Sequence, residues 1–314
     1  MARSLLLLCC IAMLAMPGCK KSSSGTTCTQ PIYGFTMPLS AITNTPSDCT
    51  FGAIDFKNET ISSTATFKNE IYQTQTAYNS RENCYYVFRA RTISDTLVTL
   101  LRIDANGSVT PYTHECRYHS YQCLLYDAVF DKLYCIQTGS GYNSLAEISF
   151  SDSAFTIAAA TTVPTLFNST TCNTQNGDVY MAGSLNSYQY RVYAFHPGTA
   201  TYSTVGDCTT MPTIGGLCFN PNDNMLYGVY LNTSLWTFVQ INPTSGRIKY
   251  SSTTVPYTYG SYSAAIDKCS NNYLLSIVDF TSPAVAYVIG FDMYGKIVQR
   301  DATSSFWQGL ASGQ

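Results

Sequence analysis

Apolar residues in this chain fall in short runs, each closed by a turn rich in Gly, Asn, Asp or Pro, and the segments between the turns read as strands. Six runs end on the same step, a large apolar residue followed by a polar one: Ile54-Asp55, Ile103-Asp104, Ile148-Ser149, Phe195-His196, Ile241-Asn242 and Phe291-Asp292. Counted at the polar member, the steps lie 49, 45, 47, 46 and 50 residues apart. Strands repeating at that interval predict an all-β fold, a β-propeller of four-stranded antiparallel blades. The strands of a blade are called a to d, from the centre of the ring outwards.

A second pattern gives the same period. Leu217 to Gly228 reads as an a–b hairpin, with Asn220-Pro221-Asn222-Asp223 as turn residues between two apolar runs. Residues 77–86 and 265–274 align with it without a gap, and shorter versions end at Leu133-Tyr134 and Val179-Tyr180. Positions 86, 134, 180, 227 and 274 are spaced by 48, 46, 47 and 47 residues. There are thus five a–b hairpins against six c–d steps. Ile32-Tyr33-Gly34-Phe35 reads as a b strand with no a strand before it. Gly309-Leu310-Ala311-Ser312 reads as an a strand with no b strand after it. The expectation is a six-bladed ring over residues 30–314, forming one domain, in which the C-terminal strand completes the blade begun by the N-terminus and leaves no open sheet edge.

The first residues follow a different pattern. Arg3 precedes an apolar run from Leu5 to Leu14, and Met16-Pro17-Gly18 lead to Cys19, followed by Lys20-Lys21-Ser22-Ser23-Ser24-Gly25. The run is too short for a membrane span. The segment resembles the leader of bacterial lipoproteins, which implies a signal peptide over 1–18, lipidation at Cys19 and a flexible tether over 19–29. It places the chain in the cell envelope, held to the outer membrane by lipid alone. A secretory signal cut nearby is the other reading, and both put residues 30–314 outside the cytoplasm. Of 13 cysteines, ten fall after Cys19, an even number suited to an oxidising compartment. Two local disulfides are expected, Cys116–Cys123 and Cys208–Cys218.

Charge narrows the partners. The formal net charge is −2 and only 11% of residues are charged, with no basic stripe, which argues against nucleic acid. The 25 tyrosines lie beside many Ser, Thr and Asn residues. In a propeller the b–c and d–a connections share one rim, and here they are the longer set and carry aromatics. Tyr142, Tyr188, Tyr230, Trp236, Tyr259 and Phe280 are the candidate ligand-binding residues on that rim. Flat apolar faces beside hydrogen-bonding groups suit a glycan or a protein partner; edge-capping tyrosines are the plainer explanation.

Chemistry is sparse. His114, Cys116, His119 and Cys123 carry zinc-type donors, but their spacing matches no zinc motif and a disulfide is the preferred reading, so no metal or other cofactor is expected. His196 stands where the repeat has Asn242 and Asp292 and reads as a turn cap. No paired carboxylates, nucleophile elbow or phosphate loop occurs. From 220 to 228 the chain is similar to the broad class of bacterial repeat propellers with an Asn-Pro-x-Asp hairpin and a Leu-Tyr-Gly strand. That class shares shape and not activity. The expected function is a non-catalytic envelope binding protein. The alternatives are a scaffold for an envelope protein complex and a carbohydrate-active hydrolase or lyase.

Overall fold

The computed structural model describes residues 31–39, 47–56, 58, 60–70, 72–89, 96–115, 120–139, 142–163, 166–186, 189–206, 213–231, 235–256, 262–279 and 284–312. These residues form strands without any α-helix. The chain opens with β1 (Ile32–Pro38), β2 (Ser47–Asp55) and β3 (Thr60–Glu70). Five groups of four follow. They are β4 (Tyr72–Asn79), β5 (Cys84–Arg89), β6 (Leu97–Asp104) and β7 (Val109–Glu115); then β8 (Ser120–Asp127), β9 (Lys132–Gly139), β10 (Tyr142–Ser151) and β11 (Ala154–Val163); then β12 (Leu166–Cys172), β13 (Val179–Asn186), β14 (Gln189–His196) and β15 (Thr201–Thr204). Next come β16 (Ile214–Asn220), β17 (Met225–Leu231), β18 (Leu235–Ile241) and β19 (Ile248–Pro256), and then β20 (Tyr262–Asp267), β21 (Asn272–Asp279), β22 (Val285–Phe291) and β23 (Ile297–Thr303). The chain closes with β24 (Ser305–Ser312).

Hydrogen bonding sorts the strands into antiparallel units of four, all but the first in chain order from inside to outside. The two units β4–β7 and β8–β11 run together as one sheet, but only through the single parallel pair Ala154–Thr113. The first unit has the order β24-β1-β2-β3, with Tyr33 opposite Ala311 and Ile32 opposite Ser312, so the tail strand supplies the head unit's innermost position. The innermost strands β24, β4, β8, β12, β16 and β20 touch in that cyclic order, and β20 meets β24 again. This is a β-propeller, closed as the head and tail fragments anticipate. The c–d steps lie at the ends of the third strands in every unit but one; β10 runs two residues past Ser149.

Burial explains why no unit stands alone. Alternate residues of one strand serve opposite neighbours: Tyr273, Leu275 and Ile277 of β21 pack with Tyr227, Val229 and Phe238, while Leu274 packs with Ile32, Ile54, Trp307 and Leu310. Tyr193 and Phe195 likewise face β8 and β9, and Val192 and Ala194 face β16 and β17. A second strand flanked on both faces is buried almost throughout, as in Cys84–Phe88 of β5, whereas the outer β15 is exposed at all four residues. Each unit therefore hides its apolar faces only in the ring.

Inner strands do not pair with each other, so other bonds tie them. Cys123 (φ 59°), Gly216 (φ 61°) and Gly309 (φ 62°) are left-handed residues, each at a β-bulge, and each is followed by a leucine. The leucine's amide is thereby turned out of the ladder. Leu217 N donates to Ser169 Oγ (2.7 Å) and Leu310 N to Ser263 Oγ (2.9 Å) of the preceding unit. The three bulges lie 93 residues apart, so a two-unit period is superposed on the single one.

Candidate functional site

Five a–b turns repeat one construction, in which an Asn or Asp at the end of the a strand accepts backbone N–H groups of its own turn. Asn79 Oδ1 takes the amides of Arg81 and Glu82, Asp127 Oδ1 those of Val129 and Phe130, and Asn173, Asn220 and Asp267 take those of Gln175, Asn222 and Cys269. Four residues on, Asn83, Asp131, Gly177, Asn224 and Asn271 all have left-handed φ, between 52° and 80°. Side chains then lace turn to turn. Arg81 Nη2 donates to the carbonyls of Ala128 (2.8 Å) and Val129 (3.3 Å), Gln175 Nε2 to Pro221 O (3.0 Å), and Asn222 Nδ2 to Asn271 Oδ1 (2.8 Å). This rim directs most of its polar groups at itself.

Between the rims runs a central cavity of about 150 Å³, lined by the inner strands. Leu124, Leu217 and Leu310, the residues after the bulges, project into it together with Thr76, Thr170 and Ala264 of the alternating strands. The hydroxyls of these two threonines are already engaged: Thr76 Oγ1 donates to Gly309 O (2.6 Å), and Thr170 Oγ1 to Cys123 O (3.4 Å). One charged side chain lines this cavity, Lys268 at the a–b rim. Burial lowers its ammonium pKa from the ordinary lysine value.

A polar relay lies outside the channel. His196 Nδ1 is 2.7 Å from Asp178 Oδ1, and His196 Nε2 is 3.2 Å from Ser203 Oγ. The order is that of a nucleophile, base and orienting carboxylate. Ser203, however, stands on the fully exposed β15, where bulk water reaches the serine end of the relay. Stabilising a developing oxyanion needs preorganised donors shielded from water, and this strand provides no such shelter. The His196 ring thus ties Asp178 to Ser203 across three strands and, unlike Asn242 and Asp292, does not bond the amides of its own turn.

The sequence-derived ligand residues do not assemble into one patch of described side chains. Tyr230 is half-buried and meets Tyr250 edge-on at 6.0 Å. Trp236 is 1% exposed and lies edge-on to Tyr262 at 5.4 Å, so it belongs to the packing between two units and offers no face to a ligand. Its position on the inward face of β18 follows from strand alternation. Tyr142 opens β10, but its side chain lies outside the described residues, as do Tyr188, Tyr259 and Phe280 altogether.

The two expected local disulfides are corrected. Cys123 and Cys218 are free thiols. Cys123 sits at the bulge of β8 among Leu125, Tyr134 and Ile136, and burial pushes its pKa up to about 12; burial does the same for Cys218, also to about 12. Both thiols point into packed interiors, whereas Cys116 and Cys208 belong to d–a connections outside the described residues. Among the described residues no cluster of metal-type donors occurs. Cys19, residues 1–18 and the tether also lie outside them. Sequence reading missed Lys268 and the Asp178–His196–Ser203 relay. The only signal for the relay was the histidine standing where other steps carry Asn or Asp.

No family model and no curated protein matches this chain. Solved structures do. TolB from Acinetobacter baumannii superposes with a TM-score of 0.64 at 7% identity over 89% of this chain, which spans 66% of that protein's length. A chain of a nidogen/laminin complex gives a TM-score of 0.61 at 12% identity, covering 90% of this chain and 98% of that one. The SapL1 lectin in complex with alpha methyl fucoside gives 0.54 at 10% identity, covering 85% and 95%. The first two are β-propellers, and at these identities the likeness is one of fold.

Proposed function

We propose that this chain is a non-catalytic, lipid-anchored protein of the cell envelope that binds a glycan or a protein partner through its b–c and d–a rim. The observation that carries this reading is the contrast between rims. The a–b turns repeat one self-capped, mutually laced design, and a surface with its polar groups so engaged makes scaffold. The b–c and d–a connections differ from unit to unit in length and composition, and such loops on a rigid frame are where binding groups concentrate. The central channel suits neither role well, since it is small and its Thr76 and Thr170 hydroxyls are engaged. Propellers superposing on this chain include a lectin with a bound fucoside and a component of a nidogen/laminin complex, which supports binding as a use of this fold.

Trp236 is buried, so the test rests on the aromatic loop residues. The purified chain is screened on an oligosaccharide array and by crosslinked pull-down from envelopes, beside a triple variant with Tyr188→Ser, Tyr259→Ser and Phe280→Ser. Specific capture by the unaltered chain, lost in the variant, is expected. Equal signals from both, or no capture by either, would overturn the proposal. Hydrolysis survives as a second reading through the Asp178–His196–Ser203 relay alone. Labelling of Ser203 by a fluorophosphonate, abolished by His196→Ala, would promote it.

A further inference from the structure

Five units have an a–b turn at the scaffold rim; the first has none, because its a and b strands come from opposite ends of the chain. A cleft of about 380 Å³ opens where that turn would lie. Pro31, Ile32, Asp55 and Phe56 line one side, and Asp267, Cys269 and Ser270 of the neighbouring a–b turn line the other. Cys269 is disulfide-bonded, and no other described cysteine is in a disulfide. Its partner is therefore among Cys9, Cys10, Cys19, Cys28, Cys116 and Cys208. A disulfide needs its two Cα atoms within about 7 Å. Cys116 and Cys208 follow the outer strands of other units, and Gly206, two residues ahead of Cys208, lies against Gly246 in a unit that does not border the cleft. Cys28 is three residues ahead of Pro31, a reach of about 10 Å from the cleft itself.

We propose that the segment just ahead of Pro31 occupies this cleft, stapled by a Cys28–Cys269 disulfide, so that the tether leaves at the a–b rim and the b–c/d–a rim faces away from the membrane. The orientation rests on the reading that Cys19 carries the lipid; the staple does not. Bond formation removes two protons and two electrons from the two thiols. An oxidised disulfide of the envelope, protein or small-molecule, accepts them and leaves as two thiols. With the staple made, only the nine residue steps from Cys19 to Cys28 remain as slack, about 30 Å fully extended. The missing hairpin thus becomes the docking place of the anchor.

The mature chain is alkylated, digested without reduction and mapped by mass spectrometry. A crosslinked pair of peptides carrying Cys28 and Cys269 is expected, and the same pair in an exported Cys19→Ala variant. Cys269 joined to Cys19, Cys116 or Cys208, or found alkylated, would overturn the staple. For orientation, the lipidated protein is inserted in phosphatidylethanolamine/phosphatidylglycerol vesicles containing a nitroxide lipid. A fluorophore is placed at Asp223→Cys on the a–b rim or at Leu97→Cys on the other, both exposed positions. Quenching several-fold stronger at 223 is expected, and equal or reversed quenching overturns the orientation. A crosslinked chain that stays off the vesicles overturns the anchor and the orientation with it.

Discussion

Asp127 occupies a place that Asn fills at 79, 173 and 220, and the difference has an energetic sign. Its Oδ1 caps the turn, but the residue is fully buried and Oδ2 has no hydrogen-bond partner. Burial raises its pKa above the usual aspartate value, against the partial relief of two backbone N–H bonds. A carboxyl whose folded pKa is raised favours the fold most below its unfolded pKa, near 3.8, and loses that contribution as pH rises through the folded value. Asp127→Asn keeps the capping oxygen and removes the buried charge. Its melting temperature is expected to exceed wild type by a few degrees at pH 7, with the difference vanishing below pH 4, as thermal unfolding across pH will show. Lys268 has the opposite chemistry and the same consequence. Its depressed pKa means that stability rises as pH climbs from the folded value towards 10.5, so Lys268→Met is expected to stabilise at pH 7 and to lose the advantage near pH 10.5. The thiols of Cys84, Cys123 and Cys218 are pushed up by burial to about 11, 12 and 12, which leaves them protonated. Native protein should resist iodoacetamide at these three, and unfolded protein should not; rapid native labelling of Cys123 or Cys218 would contradict the packing described.

At the scale of the element, the turns were legible and the bulges were not. Asn220-Pro221-Asn222-Asp223 advertises a turn because Asn and Asp accept their own backbone amides and tolerate left-handed φ, and the aligned segments repeat that chemistry. A bulge has no such signature: Cys123 takes the same backbone form as Gly216 and Gly309, and at the two glycines the neighbouring inner strand captures the amide that follows. The burial of Trp236 was hidden for a related reason, since strand alternation tells which residues share a face but not which face meets another unit. Cys123 and Cys218 were placed in local disulfides on spacing alone, whereas their direction is set by those same bulged strands. The left-handed sites are unequal in what they tolerate. Gly216 has φ 61°, and a Cβ there would collide with the Tyr273 hydroxyl, which donates to Gly216 O at 2.8 Å. Gly216→Ala should therefore cost about 3 kcal/mol or more, combining left-handed strain of 1–2 kcal/mol with a lost buried hydrogen bond. Asn224→Gly, at a turn open to solvent, should change stability by less than about 0.5 kcal/mol. Chemical denaturation of the two variants measures the difference.

For the molecule as a whole, closure is a hairpin that the chain happens to begin and end within. β24 and β1 have the a–b register of β16 and β17, down to the bulge at Gly309 opposite Gly34, and they lack only the connecting turn. The fold should then be indifferent to where the chain is cut, provided that every inner strand keeps its pairing. A circular permutant tests this directly. Ser312 is joined to Ile32 through a turn built like Asn220–Asn224, and new ends are opened between Pro256 and Tyr262 in a d–a connection. The permutant lacks residues 1–31, so any stabilisation by the leader or a Cys28 bond is absent and the ring stands on its own contacts. Loop closure costs little for a short turn replacing a non-covalent junction. The permutant is expected to fold cooperatively with an all-β circular dichroism spectrum and a melting temperature within several degrees of a chain truncated to begin at Pro31. The contrasting construction simply stops at Thr303. Without β24, β1 has an open edge, and Leu274, Ile32 and Ile54 lose Trp307 and Leu310 from their shared core. That chain should aggregate or lose its cooperative transition. If it folds as well as the permutant, the ring owes its stability to the units themselves, and closure by the tail strand is incidental.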